Sequence, residues 1–304
     1  MEKTDTLFFG STTDSVIVFE TLLKSPILSI CCVVTQPPRP IGRKQIVTPT
    51  PVEHLAKEKN IPVLSFPSNA ANPSFYQDEK VVIDALAPFK AGLIVSASYG
   101  QRIPTATITS AKYGGLNVHP SLLPRWRGAD PVPWAIMSGD HQAGVTVVTL
   151  SEGFDEGKII AQKKLAITPA DTSDPLRARL FEIGAVLLIE TIPEYISGNI
   201  KGTMQHKSDT PYAKRFTRDD GFESWEELQK SLENPEVAAK IDRKFRALDP
   251  WPGLWTKITV NGEEKRLKIL GLELRGDILA IKTVQLEGKN AVSFDQFKSA
   301  FFPQ

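Results

Sequence analysis

Five short apolar runs, at residues 7–10, 27–34, 92–97, 115–119 and 144–150, recur through the first half of the chain. Runs this short and this apolar read as strands buried on both faces, and strands that alternate with helices build a parallel α/β sheet. The opening unit is the clearest. The run at 7–10 ends in Gly10-Ser11-Thr12-Thr13-Asp14, where Asp14 is placed to cap a helix over about 15–24, and the strand at 27–34 follows. A helix is predicted over 51–60 with Pro51 at its first position. A longer one opens at Asp174-Pro175 with Leu176, Leu180, Ile183 and Leu187 on one face. Between them, residues 35–51 hold five prolines and no acid, and read as a loop.

After residue 197 the pattern changes. Ser197-Gly198-Asn199 reads as a turn, followed by a polar stretch to Pro211, helices over 224–231 and 235–247, and short strands. Residues 254–260 before Asn261-Gly262 carry a hairpin signal. The predicted division is an α/β domain at 1–197, a linker at 198–210 and a small β-barrel-sized domain at 211–304. A length of 304 residues suits two domains. With 41% hydrophobic and 23% charged residues, the composition excludes disordered and fibrous classes. No uninterrupted apolar run reaches the roughly 18 residues of a membrane span. The N-terminal residues read as neither a secretory signal nor a transit peptide. Cys31 and Cys32 are adjacent, so they neither staple a fold nor build a zinc site, and they read as reduced thiols of a cytosolic protein. The net charge of +1 gives no bulk signal for nucleic acid and leaves room for a local basic patch.

The densest stretch for chemistry is Gly114-Gly-Leu-Asn-Val-His-Pro-Ser-Leu-Leu-Pro-Arg-Trp-Arg-Gly128. Asn117 and His119 are two apart on a strand, so they share a face, and Pro120 stops the strand just beyond them. Ligands of open α/β sheets bind beyond that carboxyl edge. An imidazole there is a tunable proton acceptor, and the neighbouring amide is a donor for a developing oxyanion. The bland alternative is a structural histidine. Gly153-Phe154-Asp155-Glu156-Gly157 follows another strand and is either an ordinary tight turn or the source of a carboxylate that orients His119. His54, His141 and His206 lie in settings without such neighbours, and no cluster has metal-ligand spacing. Neither a Gly-x-Gly-x-x-Gly nor a phosphate-loop pattern is present.

The Asn117-Val-His119-Pro-Ser121-Leu122-Leu123-Pro124 run followed by Gly153-Phe-Asp155-Glu-Gly157 resembles the signature of formyltransferases that use 10-formyltetrahydrofolate. Three further pieces resemble the branch of that family acting on methionyl-tRNA: the basic stretch from Thr35 to Lys44, Tyr212-Ala-Lys-Arg215 leading to Trp225, and Arg246-Ala-Leu-Asp-Pro-Trp-Pro-Gly-Leu-Trp255. The resemblance runs from Phe9 to about Phe297. It implies a Rossmann-like α/β catalytic domain and an OB-like, tRNA-binding C-terminal barrel. It implies formyl transfer from the folate to the α-amine of methionyl initiator tRNA, giving formylmethionyl-tRNA for translation initiation. Matched by position, Asn117, His119 and Asp155 fall on the catalytic trio. Ser121, Leu122, Leu123 and Pro124, with Ser98, Tyr99 and Gly100, fall on stretches lining the folate pocket. The chain departs from the pattern at Pro38, at Asp130 and at Pro133-Trp134.

Arg39, Arg43 and Lys44 make the stretch 36–51 locally +3, which suits an approach to the tRNA acceptor end; the bland reading is a solvated loop. Residues 200–304 hold 18 basic and 16 acidic residues, net +2, so any tRNA face there requires segregation, with Lys240, Arg243, Lys244 and Arg246 on one helix joined by Lys265, Arg266 and Lys268. Trp251 and Trp255 read as packing anchors. The expectation is a monomeric, bacterial-type cytoplasmic enzyme that needs no metal and contacts no membrane. Three readings compete with it: a folate-dependent formyltransferase acting on an amino-sugar nucleotide or glycinamide ribonucleotide, a hydrolase releasing formate, and a catalytically silent RNA-binding protein.

Overall fold

The computed structural model describes residues 3–42, 44–206, 210–260 and 262–301. In chain order the elements run β1 (Thr4–Phe9), α1 (Thr13–Leu23), β2 (Leu28–Thr35), β3 (Arg39–Ile41), β4 (Ile46–Thr48), α2 (Pro51–Glu58), β5 (Val63–Ser65), α3 (Glu79–Leu86), β6 (Leu93–Ala97) and α4 (Thr105–Ser110). They continue with β7 (Gly115–His119), β8 (Arg127–Gly128), α5 (Pro131–Met137), β9 (Gln142–Thr149), β10 (Ile159–Ala166), α6 (Ser173–Ile196) and β11 (Tyr212–Ala213). The last are α7 (Trp225–Lys230), α8 (Pro235–Leu248), β12 (Leu254–Val260), β13 (Glu263–Arg275), β14 (Ile278–Leu286), β15 (Ala291–Ser293) and α9 (Phe294–Phe301). Two compact units form: Met1–Ala129 with Ala143–Ala166 and Arg177–Ala213, and Asp130–Gln142 with Ile167–Leu176 and Lys214–Gln304.

The first unit is a Rossmann-like α/β layer structure around a seven-stranded sheet in the order β10-β9-β7-β6-β1-β2-β5. The pairs β2–β5, β1–β2, β1–β6 and β6–β7 are parallel, and β7–β9 is antiparallel. The chain builds outward from β1 through β2 to β5, then returns to the other side of β1 as β6 and β7. In open α/β sheets, ligands bind at such a reversal, beyond the carboxyl ends of the strands. Alternation along the strands divides the core between two faces. Phe8, Val33, Val95 and Val118 pack in one cluster with residues of α1, α2 and α6, while Leu7, Phe9, Cys32 and Ile94 pack in another with residues of α3 and α4.

Three local expectations are corrected in this unit. The cap of α1 is Thr12, whose hydroxyl accepts from Ser15 N while Ser15 closes the reciprocal bond. Asp14 lies inside the helix instead, buried and paired with Arg177 Nε at 2.7 Å. Of the expected α6 stripe, Leu176 and Leu180 are fully buried and Ile183 and Leu187 only partly covered, and the buried face turns toward Phe181, Ala185, Leu188 and Ile192. Gly184 explains the rotation: a Cβ there would stand 2.6 Å from Val118 and 2.7 Å from Val145, so the helix backbone seats directly on β7 and β9. The proline-rich stretch is not a plain loop either. It contains the antiparallel ribbon β3–β4, whose Ile41, Ile46 and Val47 side chains are exposed.

The second unit is a small antiparallel β domain, a four-stranded meander β12-β13-β14-β15. Val260 pairs with Glu263, and Gly262 takes φ +80° in the two-residue connection; Asn261 lies outside the described residues. Leu228 of α7, Ile241 of α8 and Phe297 of α9 pack with Leu254, Leu267 and Val284 of the sheet. Asn234 caps α8 ahead of Pro235 at its first position.

This unit also accounts for two of the departures, Asp130 and Trp134. Asp130 Oδ2 accepts from Phe216 N at 2.8 Å, Trp134 stacks on Phe216 at 4.8 Å, and Trp134 Nε1 donates to Lys214 O. Asp130 and Trp134 therefore clamp the chain at 214–216. Trp255 is the anchor expected, tilted on Phe222 and donating to Arg218 O, but Trp251 is 60% exposed and anchors nothing. On the basic helix, Lys244 is tied to Phe222 O and Glu223, and Arg246 to Asp242 and Asp171 O, so two of its four basic residues are paired inside the unit.

Candidate active site

Asn117 and His119 occupy alternate positions of β7, whose parallel pairing with β6 fixes their direction, and Pro120 ends the strand. The loop after β9 returns Asp155 to the same place. Asn117 Nδ2 donates to Asp155 Oδ1 at 3.2 Å, and His119 Nδ1 stands 3.4 Å from that oxygen. Gly128 N donates to Asp155 Oδ2 at 3.1 Å, so the carboxylate is gripped at both oxygens. His119 is 5% exposed. Its Nε2 lies 3.0 Å from Trp126 O. A carbonyl can only accept, so Nε2 carries the hydrogen and Nδ1 is the nitrogen that faces Asp155. A proton taken up by the ring enters at Nδ1, against the carboxylate that best stabilises it.

Asp155 achieves this position at a cost. Its φ of +57° is a left-handed conformation, uncommon for residues with a side chain, although aspartate takes it more readily than most. Gly157 is equally constrained, because a Cβ there would stand 1.8 Å from Thr149 O. Gln205 Nε2 donates to Asp155 O and Gly157 O at 2.7 Å each, and Arg127 Nε and Nη2 donate to Gln205 Oε1 at 3.0 and 2.7 Å.

The loop from Ser121 to Pro124 is fixed by the sheet. Thr146 Oγ1 donates to Ser121 O at 2.6 Å and accepts from Leu123 N, while Gln162 Nε2 donates to Leu123 O at 2.8 Å. Ser121 Oγ donates to Arg125 O at 2.8 Å. Ser121 and Leu123 are buried, and Leu122 and Pro124 keep part of their surface open. Ser98, Tyr99 and Gly100 leave the end of β6 at the sheet reversal, with Ser98 at φ +46° and Gly100 at φ +88°. Ser15 Oγ donates to Ala97 O at 2.6 Å, and Gln36 Nε2 donates to Tyr99 O. The Tyr99 ring points into the core, edge-on to Phe9, and its hydroxyl accepts from Tyr76 at 2.7 Å. Burial pushes both phenols well above the ordinary tyrosine range. Tyr99 thus presents backbone rather than ring at this edge.

Among the basic residues, Arg39 donates to Gln36 Oε1 and both it and Lys44 are exposed on the β3–β4 ribbon; Arg43 lies outside the described residues. Sequence reading missed four contributors. Trp126 O and Gly128 N act through backbone in a stretch already singled out, whereas Gln205 lies in a polar stretch with no motif. The fourth, Tyr212, pairs in register with Arg127 across β8–β11, and burial and the charge of Asp155 raise its phenol. Among the described residues no group of acids, histidines and cysteines could hold a metal, and no helix is long and apolar enough to cross a membrane.

Residues 5–192 match the family described as formyl transferase, and residues 235–277 match its C-terminal domain. The chain is similar to the methionyl-tRNA formyltransferase of Listeria innocua, 35% identical over 270 residues that cover 88% of this chain and 78% of that one. In fold it is similar to a 4-N formyltransferase from Francisella tularensis, with a TM-score of 0.64 at 16% identity over 90% of this chain and 98% of that one. It is also similar to HypX from Aquifex aeolicus in complex with tetrahydrofolic acid, with a TM-score of 0.57 at 15% identity over 100% of this chain and 48% of that one.

Proposed function

The chain belongs to the formyl transferase family, and we propose that it moves a formyl group from 10-formyltetrahydrofolate to the α-amine of methionyl initiator tRNA. The observation that carries the reading is the convergence of a neutral amide, an imidazole and a carboxylate within 3.4 Å at the sheet edge, in a chain 35% identical to a methionyl-tRNA formyltransferase. That donor set fits the folate: transfer between two nitrogens needs an amide-type donor for the formyl oxygen and one group to carry a proton. Leu122, Pro124 and the backbone of Ser98–Gly100 would hold it. When bound, the folate supplies the formyl group and an amine that leaves.

The chain's own residues then divide the work. Asn117 spends one N–H on Asp155, so its second N–H is the donor for negative charge growing on the formyl oxygen, an interaction worth about 3–4 kcal/mol in such sites. His119 takes up at Nδ1 the proton that the acceptor amine loses and gives it to the folate nitrogen as its bond to the formyl carbon breaks, help worth about 10²–10⁴-fold. Its Nε2 stays on Trp126 O, which leaves polarisation of the formyl oxygen to Asn117. Asp155 balances the imidazolium. Arg39, Arg43 and Lys44 meet phosphates of the acceptor end. The enzyme acts as a monomer in a bacterial-type cytoplasm.

The test is a formyl-transfer assay with 10-formyltetrahydrofolate and methionyl initiator tRNA, run beside an amino-sugar nucleotide and a no-acceptor control. Formylation of the charged tRNA alone is expected. Transfer to the sugar, or formate release without acceptor, would overturn the acceptor assignment, and tRNA binding without turnover would overturn the enzyme assignment.

A further inference from the structure

We infer that Gln205 is a positioning residue that sets where the Asp155 carboxylate stands against His119. The inference rests on the formyl-transfer reading above and adds to it a residue far along the chain. Asp155 sits at φ +57° in a loop, and the direction of its carboxylate depends on how the backbone there is held. Gly128 N reaches only a side-chain oxygen. The backbone carbonyls on either side of Glu156 are both taken by one group, the Gln205 amide, at 2.7 Å each.

The orientation of that amide is fixed by chemistry. Arg127 presents two donors to it at 3.0 and 2.7 Å, and only an oxygen can face them. The NH2 group must therefore face the Asp155 and Gly157 carbonyls, where both of its hydrogens are used. Arg127 and Gly128 are adjacent on β8. One two-residue strand thus grips the carboxylate directly through Gly128 N and its backbone indirectly through Arg127 and Gln205. Gln205 is itself pinned two residues upstream, where Thr203 and Ile159 exchange both backbone hydrogen bonds at 2.8 Å. Each part of the brace is anchored before substrate arrives, which is the condition for precise placement of a reacting group.

Gln205→Glu in the full chain separates this role from packing. It keeps length, volume and the Arg127 partner but turns an acceptor oxygen toward the two carbonyls. Expected is a 10–100-fold loss of kcat, in line with the cost of misplacing a reacting group by about 1 Å. KM for the folate and for methionyl-tRNA should stay within threefold, and the pH profile of kcat should shift. Gln205→Ala should lose a similar factor. Nitrogen-15 NMR of His119, assigned by its loss in His119→Ala, supplies an arm that needs no turnover: its Nδ1 resonance should move in both variants. Wild-type kcat in Gln205→Glu, a loss confined to KM, or an unmoved His119 resonance would overturn the inference. A wild-type protein without formyl transfer would sink the functional reading alone, because the His119 resonance would still decide the brace.

Discussion

Replacing Asp155 by Asn tests the centre of the site with the smallest change of shape. The carboxylate accepts from Asn117 Nδ2 at 3.2 Å and Gly128 N at 3.1 Å and faces His119 Nδ1 at 3.4 Å. An amide has one oxygen, so its NH2 must oppose either the Asn117 amide or the Gly128 N–H, and one buried donor goes unmet at a cost of about 1–3 kcal/mol in stability. The larger loss is charge. At 3.4 Å and an effective dielectric constant of about 20, the attraction between carboxylate and imidazolium is about 5 kcal/mol. If half of it is present when the proton is held at Nδ1, kcat falls about 10²-fold, and if all of it is, between 10³- and 10⁴-fold. Single-turnover formylation at saturating folate and tRNA measures the step, with thermal unfolding by circular dichroism as the control for folding. A kcat within threefold of wild type, in a folded variant, would refute the assignment of Asp155 as the group that balances His119.

The remaining predictions touch other links. Gly157→Ala should cut kcat more than tenfold and destabilise the fold by about 1–3 kcal/mol, because the new Cβ would stand 1.8 Å from Thr149 O; unchanged urea unfolding would contradict the packing argument. Arg43→Ala should raise KM for tRNA several-fold, most at low salt and less as salt screens the contact, and leave KM for the folate alone; equal effects on both would remove the basic stretch from tRNA recognition. Burial holds the Cys32 thiol up at about 12 from an ordinary 9.0. The unfolded chain therefore loses this proton above pH 9 while the folded one keeps it. Stability should fall as pH rises from about 9 to about 12, by up to about 1.4 kcal/mol per pH unit from this group. Cys32→Ala should flatten that slope, and an identical slope in the variant would show that the thiol does not contribute.

What the sequence made legible was local. Alternation places Asn117 and His119 on one face, and Pro120 marks the end of β7, because both depend on neighbours two residues away. Hydrophobic runs locate β2, β6 and β7 for the same reason. Contacts across distance were not legible. That Asn117 meets Asp155, 38 residues on, depends on the pairing of β7 with β9, which no periodicity encodes. The cap of α1 was ambiguous because Thr12 and Asp14 are both capping residues, and the choice went to the one whose partner, Ser15, can reciprocate. The face of α6 was legible in part: Leu176 and Leu180 are buried as their spacing implies, but the contact that sets the helix rotation is made by Gly184, a residue with nothing to count. The β3–β4 ribbon hid behind its prolines, which suit an edge strand as well as a loop.

The interleaving of the two units has a consequence for how the chain is made. Trp134 stacks on Phe216 and bonds to Lys214 O, a partner 80 residues downstream, and Ser173 waits for Ala247 O, 74 residues downstream. A ribosome adding about 5–20 residues per second delivers Lys214 about 4–16 s after Trp134 itself. For that interval a tryptophan and its apolar neighbours on α5 have emerged without the surface that will cover them. The seconds between residues 134 and 216 are therefore when a nascent chain of this design is most exposed to wrong partners, and slowing translation downstream of α5 would lengthen them.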